Sequence, residues 1–548
     1  MAMRSYKKFK AIHWNQTSQE VNALAHQPKV SFILPWSLEL TSELKATLES
    51  IKSLPGDDWE VIISLPEGTE NIQLQEINDE RIKQTQAAKP DLLSHISGEY
   101  VLFCQPGDQF SVSLLTEFYA TLGKGSPADI TYYDCEYIDQ NTDKIMPFFK
   151  PTALSPALLL SVNYLSRGFA RLEILQRFWD KISIHQNFLI TEYDLVLRLY
   201  EIGGIFRHIP AILVSQKCLP TSETAGCSRV IETHLTRLGL LDVSSVKQPI
   251  GMRFTWKTNT PSLAIIILTK NNHKFLLSLL PALQRQPYQG QFTIHIVDNG
   301  SDDPATIAFY QQIQTDPQLT IIPYPKPFNY SEAINLGVAK TESDLVLLMN
   351  DDMVPMDEIW LTELSQWAVR PEVGVVGAKL LRKNRTIQHA GIILGLTGFM
   401  GHIYLNAPEN YTGLFGTVNW YRNYLAMTGA CQMVRREVFN EVGGYDEGYQ
   451  LAFGDVDFCL KVHQKGYQNI YTPFAQSYHY EGSSRGYLTP PQDVLRGYEQ
   501  MATYLTEEDP FFSPNLTYTR IPKCLLETRS ADERQNQIEA RKQFYLNS

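Results

Sequence analysis

The chain has 548 residues, 43% hydrophobic and 20% charged, a globular composition that excludes a disordered or fibrous protein. At roughly 100–200 residues per domain, that length predicts about two to four domains rather than one core. Its 48 Lys and Arg against 59 Asp and Glu give a formal charge of −11, which argues against a bulk nucleic-acid binder while leaving local basic patches open.

The first residues, MAMRSYKKFK, are basic but carry no apolar core, so they do not read as a secretory signal. No uncharged apolar run approaches the roughly 18 residues that a membrane span needs. The seven cysteines (Cys104, Cys135, Cys218, Cys227, Cys431, Cys459 and Cys524) are scattered and form no CxxC pair. Reduced thiols fit them better than a disulfide framework or a zinc knuckle. The expectation is a cytoplasmic chain, with peripheral attachment to the inner face of the cytoplasmic membrane left open.

After an N-terminal extension, residues 1–27, the chain repeats itself. Pro28 opens PKVSFILPWSLEL and Pro261 opens PSLAIIILTKNNH. Each is a Pro, an apolar β-branched run, a polar break and a Leu-periodic helical stretch, the pattern of a buried parallel strand entering a βα unit. A second strand follows in each copy, Trp59–Ser64 and Phe292–Ser301, and then a third, Glu99–Asp108 and Asp344–Met353. Later each copy has an acidic helix start, TEYDLVLRLYE and GDVDFCLKVHQ. Strand–helix alternation predicts an α/β chain of two tandem domains, each a mostly parallel sheet flanked by helices. The boundaries expected are 28–218 for the first domain and 219–259 for a linker with a helix near Arg229–Leu241. The second domain then covers 260–526, and 527–548 is a charged, Gln-rich tail that reads as an exposed helix or a frayed end.

Four motifs of the second copy carry candidate chemistry. Asn350–Asp351–Asp352 follows the buried strand LVLLM, and in open α/β sheets ligands gather beyond the carboxyl ends of strands. Adjacent carboxylates there repel and lose hydration unless a hard cation, Mg2+ or Mn2+, compensates them; the alternative is an acidic turn capping the next helix. Asp298, in VDNGSD, ends the preceding strand and could accept the imide N–H of a pyrimidine base, or simply shape a turn. Asp455 and Asp457 sit at a helix entry, where one side chain can face a cleft as a general base while the other caps the helix; a double N-cap is the alternative. His479, in YHYEGSSRG, is a metal-ligand type followed by Arg485, a phosphate-binding type, although a lone His is more often structural.

The order of these motifs resembles glycosyltransferase family 2, whose members have the GT-A fold and transfer sugars from nucleotide-sugars. The stretches that carry the resemblance are TKNN, VDNGSDD, PFNYSEAINLGV, LLMNDD, IQHAGIILG, TGACQMVRREVFNEVGGYDE, FGDVDFCLKVHQKGY, TPFAQSYHYEGSSRG and DPFFSPNL, covering about Pro261 to Leu516. The nearest flavour is the bacterial surface-polysaccharide branch, rhamnosyltransferases included. The resemblance implies that Asp298 holds the base, that Asn350 and Asp351 lie near ribose and diphosphate, and that Thr269, Asn335 and Arg485 are further donor-side contacts. It implies Asp352 and His479 at a Mg2+ or Mn2+ ion and Asp455 as catalytic base. The partners it implies are a UDP- or dTDP-linked sugar, a glycan or lipid-linked glycan acceptor, and other glycan-assembly enzymes. The expected reaction is a single displacement with inversion, unlike glycoside hydrolysis, which needs an acid for a poor leaving group. A sugar nucleotidyltransferase would open on a Gly-rich basic loop, which TKNNHKF is not.

The first copy departs at the functional positions. It has Leu65 or Pro66 near the place of Asp298, Pro106–Gly107–Asp108 for the acidic loop, Glu192 for Asp455 and Gln216 near His479. One remaining carboxylate makes a poor diphosphate–metal site, so a degenerate, non-catalytic first domain is expected. Its rival is a bifunctional two-site polymerase, and the alternative to catalysis as a whole is a glycan-binding scaffold with both domains inert. The tryptophans read mostly as packing residues, with Trp420 the best candidate for acceptor stacking; His389 and His402 are candidates for the donor pocket or for the core.

Overall fold

The computed structural model describes residues 2–14, 27–69, 79–86, 91–139, 144–182, 188–224, 226–480, 489–526 and 530–547. Each repeat builds a mixed sheet. Along the first, the hydrogen-bonded order is Ile82–Thr85, Trp59–Ser64, Val30–Pro35, Tyr100–Phe103, Phe169–Arg171, Ile130–Asp139, Phe206–Gln216 and Gln109–Phe110. Along the second it is Leu319–Pro323, Phe292–Asp298, Leu263–Thr269, Leu345–Asn350, Cys431–Arg435, Val373–Leu381, Gln468–His479 and Met353–Pro355. Position by position the two orders are the same in chain sequence, so the repeat seen in the sequence is a repeat of topology. The first four strands of each order are parallel, while Phe169–Arg171 and Cys431–Arg435 run antiparallel to their neighbours.

The apolar runs dictate this arrangement. All seven residues of Leu263–Thr269 are buried, because the strand lies between Phe292–Asp298 and Leu345–Asn350 with helices over both faces. The helix Tyr330–Ala339 rides close enough that a Cβ on Gly337 would stand 2.4 Å from Ile266 Cγ2. The chain moves outward from Leu263–Thr269 to Leu319–Pro323 and then returns to the other side as Leu345–Asn350. The crevice between those two strand ends is thus a topological switch point.

The linker is a helix, Cys227–Arg237, and an antiparallel hairpin, Leu241–Gln248 with Gly251–Lys257. The hairpin clamps onto the second domain: Arg253 pairs with buried Glu363 at 2.5 Å, and Trp256 meets the Trp367 ring edge-on at 5.2 Å. The halves join directly as well, through Ser155 to Asn423 at 3.0 Å, Tyr421 N–H to Ser161 at 3.0 Å and Phe149 N–H to the Leu414 carbonyl at 2.9 Å. Trp420 belongs to this seam. Its ring packs 5.3 Å from Phe148 of the first half, outside the cavity described below, so the expectation of acceptor stacking does not hold.

The charged tail is a docked helix, Ala531–Leu546, and only its outer face is solvated. Ser530 and Glu533 close a capping box at its start. Ile538 is buried, Tyr545 packs edge-on to Phe399 and Phe453, and a Cβ on Gly398 (φ 87°) would fall 2.5 Å from the Gln537 carbonyl oxygen. None of the seven cysteines is disulfide-bonded. Among the described residues no helix is long and apolar enough to cross a membrane.

Candidate active site

At the switch point Thr269 ends one strand and Asn350 the next. Thr269 donates its hydroxyl to Asp351 Oδ2 at 2.6 Å and Asn272 donates its amide to the same oxygen at 2.9 Å, so Asp351 is aimed by two neutral donors. Tyr330 gives its hydroxyl to the Gly429 carbonyl at 3.1 Å and to Asn350 Oδ1 at 3.4 Å. Asp352 and His479 meet because the short strand Met353–Pro355 pairs antiparallel with Gln468–His479, Met353 opposite His479. His479 Nε2 stands 3.3 Å from Asp352 Oδ1, in charge-pair range but without hydrogen-bond alignment.

Asp455 enters from the other side, one residue into the helix Gly454–Gln464, whose start is turned by Phe453 in the left-handed region (φ 69°). Its Oδ2 accepts the Gly429 N–H at 2.6 Å and its Oδ1 the Val456 N–H at 2.9 Å. A Cβ on Gly429 would lie 3.0 Å from Asp455 Cβ, so any larger residue there would press on the Asp455 side chain. Burial lifts the Asp455 pKa above the ordinary aspartate value, and the two N–H donors oppose that shift. Asp457, two residues on, turns away and pairs with Lys461 at 2.8 Å.

Asn350, Asp351, Asp352, Asp455 and His479 all line one cavity of about 460 Å³. A larger one, about 830 Å³, opens between the halves at the opposite ends of the strands, by Pro261 and Leu345. There the Arg435 guanidinium is spent on the backbone carbonyls of Ala368 and Val373 at 3.0 and 2.9 Å, which makes that cleft a structural joint.

Asp298 and Asn335 are not among the residues lining that cavity. Asp298 is level with Thr269 in the strand register, and its carboxylate accepts from Tyr310 Oη at 2.9 Å, from the Ser301 N–H at 3.1 Å and from the Ser301 hydroxyl. Asn335 spends its amide on Tyr445, whose N–H and carbonyl it binds at 3.0 and 2.9 Å, and on Glu447 at 3.0 Å, holding the loop ahead of the Asp455 helix. Arg485 lies outside the described residues. Two positioning groups escaped the sequence reading. Asn272 stood inside a quoted motif, whereas fully buried Asp493 gave no local signal. Asp493 accepts the N–H groups of Gln450, Leu451 and Ala452 at 2.9, 2.8 and 2.8 Å and so fixes the approach to Asp455.

Asp352 Oδ1 and His479 Nδ1 are buried with no hydrogen bond, one hard oxygen and one imidazole. Among the described residues no cluster of three His, Cys, Asp or Glu side chains offers itself as a cage. Two protein ligands match a cation that completes its shell with water and substrate phosphates. The residues fit such an ion on those terms.

The first sheet holds a different arrangement at the same place. Val30 is opposite Tyr100 as Leu263 is opposite Leu345, so counting along the strands puts Gln105–Pro106–Gly107 where Asn350–Asp351–Asp352 stand. Asp108 then falls at Met353, one residue past the acidic loop, and not at Asp352. Extending the pairing of Gln109 with Ser215 sets Asp108 across from Gln216, as Met353 is across from His479. Asp108 is fully buried and bound bidentately by Arg167, at 2.8 and 3.1 Å. Glu192 accepts the N–H groups of Arg167 and Gly168, in the loop before the antiparallel strand, much as Asp455 accepts Gly429.

Burial pushes the Glu192 pKa up to about 8, with the Arg167 charge opposing the shift. A carboxyl whose folded value is raised contributes stability that is whole below its unfolded pKa, about 4.3, and lost as pH rises through about 8. The thermal midpoint is therefore expected to fall between about pH 5 and 8, and Glu192→Gln to remove part of that slope. A wild-type slope unchanged in Glu192→Gln would assign it to other groups.

A twisted α/β sheet with acidic groups gathered at the switch point, a His beside them and a helix-borne carboxylate facing them is the architecture of GT-A nucleotide-sugar transferases. Residues 264–443 match the model of glycosyl transferase family 2. It is 30% identical to O-antigen biosynthesis protein RfbC of Myxococcus xanthus over 91% of its own length and 41% of that protein's. It is 25% identical to an N-acetylglucosaminyl-diphospho-decaprenol L-rhamnosyltransferase of Mycobacterium tuberculosis over 39% of this chain and 73% of the other. Among solved structures, GalNAc-T7 with UDP, GalNAc and Mn2+ aligns over 48% of this chain and 53% of that one, with 13% identity and a TM-score of 0.39. The chain spans 61% and 41% of the two curated relatives that it matches over most of its own length.

Proposed function

We propose that the second domain is a metal-dependent, inverting glycosyltransferase that moves a sugar from a pyrimidine nucleoside diphosphate to a glycan or lipid-linked glycan in surface-polysaccharide assembly. The observation that carries the reading is the convergence of Asp351, Asp352, His479 and Asp455 on one cavity at the switch point. Asp352 and His479 would hold a Mg2+ or Mn2+ ion, which when bound supplies positive charge to the departing diphosphate. Asp455 takes the proton of an acceptor hydroxyl as that oxygen bonds to the anomeric carbon, while the bond from that carbon to the diphosphate breaks on the opposite face. Its raised pKa makes it a stronger base than a solvated aspartate, and its two N–H donors fix the direction of its oxygens. Asp351 sits beside the acidic pair with its charge shared by Thr269 and Asn272.

The names of the two relatives, O-antigen biosynthesis and L-rhamnosyl transfer, support a bacterial surface glycan and a deoxyhexose donor. The first domain is read as non-catalytic, since Gln105, Pro106 and Gly107 stand where the second domain has its acidic loop and the carboxylate after them, Asp108, is bound by Arg167. Chelation is the direct test of the metal. With a nucleotide-sugar panel, EDTA is expected to abolish donor turnover and added Mn2+ to restore it. Asp352→Asn should lose about 10²-fold or more in kcat/KM. Turnover at full rate in EDTA would remove the ion from the mechanism. No turnover or nucleotide binding with any donor, metal present, would favour the glycan-binding scaffold.

A further inference from the structure

The cavity of Asp352 and Asp455 holds a polar side chain that the reaction above leaves unused. Gln388 lines it together with His402 and His479. The residue is only 3% exposed, its Oε1 is buried with no hydrogen bond, and its Nε2 bonds to nothing among the described residues. Gln432 and Asn469, as deeply buried in the same domain, have both ends of their amides bonded. Gln432 meets the Met427 carbonyl at 2.8 Å and Tyr445 Oη at 2.6 Å, and Asn469 meets the Leu425 carbonyl at 2.8 Å and the Val375 N–H at 3.1 Å. A buried carboxamide without partners weakens a fold, and a cavity wall is where a ligand can supply the missing bonds.

The backbone aims this side chain. The strand Ile387–His389 pairs antiparallel with Val373–Leu381, Leu380 opposite His389 and Leu381 opposite Ile387. Gln388 is therefore the extra residue of a β-bulge, a device that re-aims a side chain out of the ladder. Both of its neighbours are pinned. The Ile387 N–H donates to the Ala407 carbonyl at 2.8 Å, the Ile387 carbonyl accepts the Asn406 N–H at 2.8 Å, and the His389 and His402 rings share a hydrogen bond of 2.8 Å between their Nδ1 atoms. The segment that carries the carboxamide is thus fixed before any ligand arrives.

A carboxamide presents N–H donors and an acceptor oxygen side by side. A diphosphate ester only accepts, and would leave Oε1 without a partner. Adjacent hydroxyls of a sugar ring each donate and accept, so they satisfy both ends of the amide at once. We infer that Gln388 is a specificity-determining residue that reads a pair of hydroxyls on a neutral sugar ring in this cavity and takes no part in holding the diphosphate. Donor sugar and acceptor sugar share that chemistry, and the two arms of the test tell them apart. The inference rests on the reading of the cavity as a transferase site and deepens it.

The test uses the full chain with Mn2+, as wild type and as Gln388→Met, an unbranched apolar replacement of similar size. In the donor arm, UDP and a panel of UDP- and dTDP-linked sugars are titrated by calorimetry. In the acceptor arm, methyl α-L-rhamnoside and methyl β-D-glucoside are titrated into the UDP-loaded protein. Gln388→Met is expected to bind bare UDP as wild type does and to lose about tenfold in affinity for the sugar in one arm, which names the ring that Gln388 reads. Its thermal midpoint should hold or rise, because the substitution removes a buried polar group that has no partner. Unchanged affinity in both arms would overturn the inference. So would an equal loss of bare UDP, or a fall in thermal midpoint, either of which would mark a structural glutamine. Absence of UDP binding to wild type would sink the transferase reading, whereas UDP binding with both arms unchanged would sink the role of Gln388 alone.

Discussion

Asp455→Asn is expected to lower kcat/KM for sugar transfer by about 10²–10⁴-fold, the usual worth of a positioned general base, with nucleotide binding and thermal midpoint near wild type. Asn keeps the shape and can still accept the Gly429 N–H, so the loss would be of a proton acceptor and not of a fold. The pH profile is the second readout. Burial raises the Asp455 pKa, and a base works only when deprotonated, so kcat/KM should rise with pH through an inflection above the ordinary aspartate value of about 3.9. Transfer that persists in Asp455→Asn with an unshifted profile would move the base elsewhere in the cavity.

Arg167→Met should destabilise the first domain by about 3–5 kcal/mol, because it leaves the Asp108 carboxylate buried with its cation gone. For a unit of this size that is a fall in thermal midpoint of about 10 °C. Adding Asp108→Asn should recover most of the loss. The amide oxygen still accepts the Gln105 N–H that Asp108 holds at 2.8 Å, and no unpaired charge stays inside. The same pair of variants weighs the two-site polymerase. A working first site would lose one product linkage in Arg167→Met at unchanged stability, whereas an internal ion pair predicts lost stability and unaltered linkages.

Much of the site was legible because its residues lie at the ends of strongly patterned elements. The uncharged run LVLLM announces a strand buried on both faces, so the acids after it had to emerge at a strand end. Asp455 and Asp457 differ by two positions at a helix start, which sends one toward the cavity and the other to Lys461. Asp493 and the cavity face of the last helix were not legible. Asp493 acts on residues more than 40 positions away, and the tail sequence has no apolar stripe broad enough to foretell that Ile538 and Tyr545 would dock it. Trp420 failed for the same reason: an aromatic near catalytic motifs reads as a sugar platform until the first half is seen packed against it.

The amino-acid order alone determined the repeat, the α/β class and the acidic and helix-borne carboxylates of the second half, since apolar periodicity and strand-end chemistry are local properties. Tertiary structure alone decided that His479 meets Asp352, that Arg167 pairs with Asp108 in the first half, and that the terminal helix lends Arg541 to the cavity of Asp352 and Asp455. Each of those depends on strand register or on docking between distant segments, where one residue of slip or a different partner would give the same local pattern and another site.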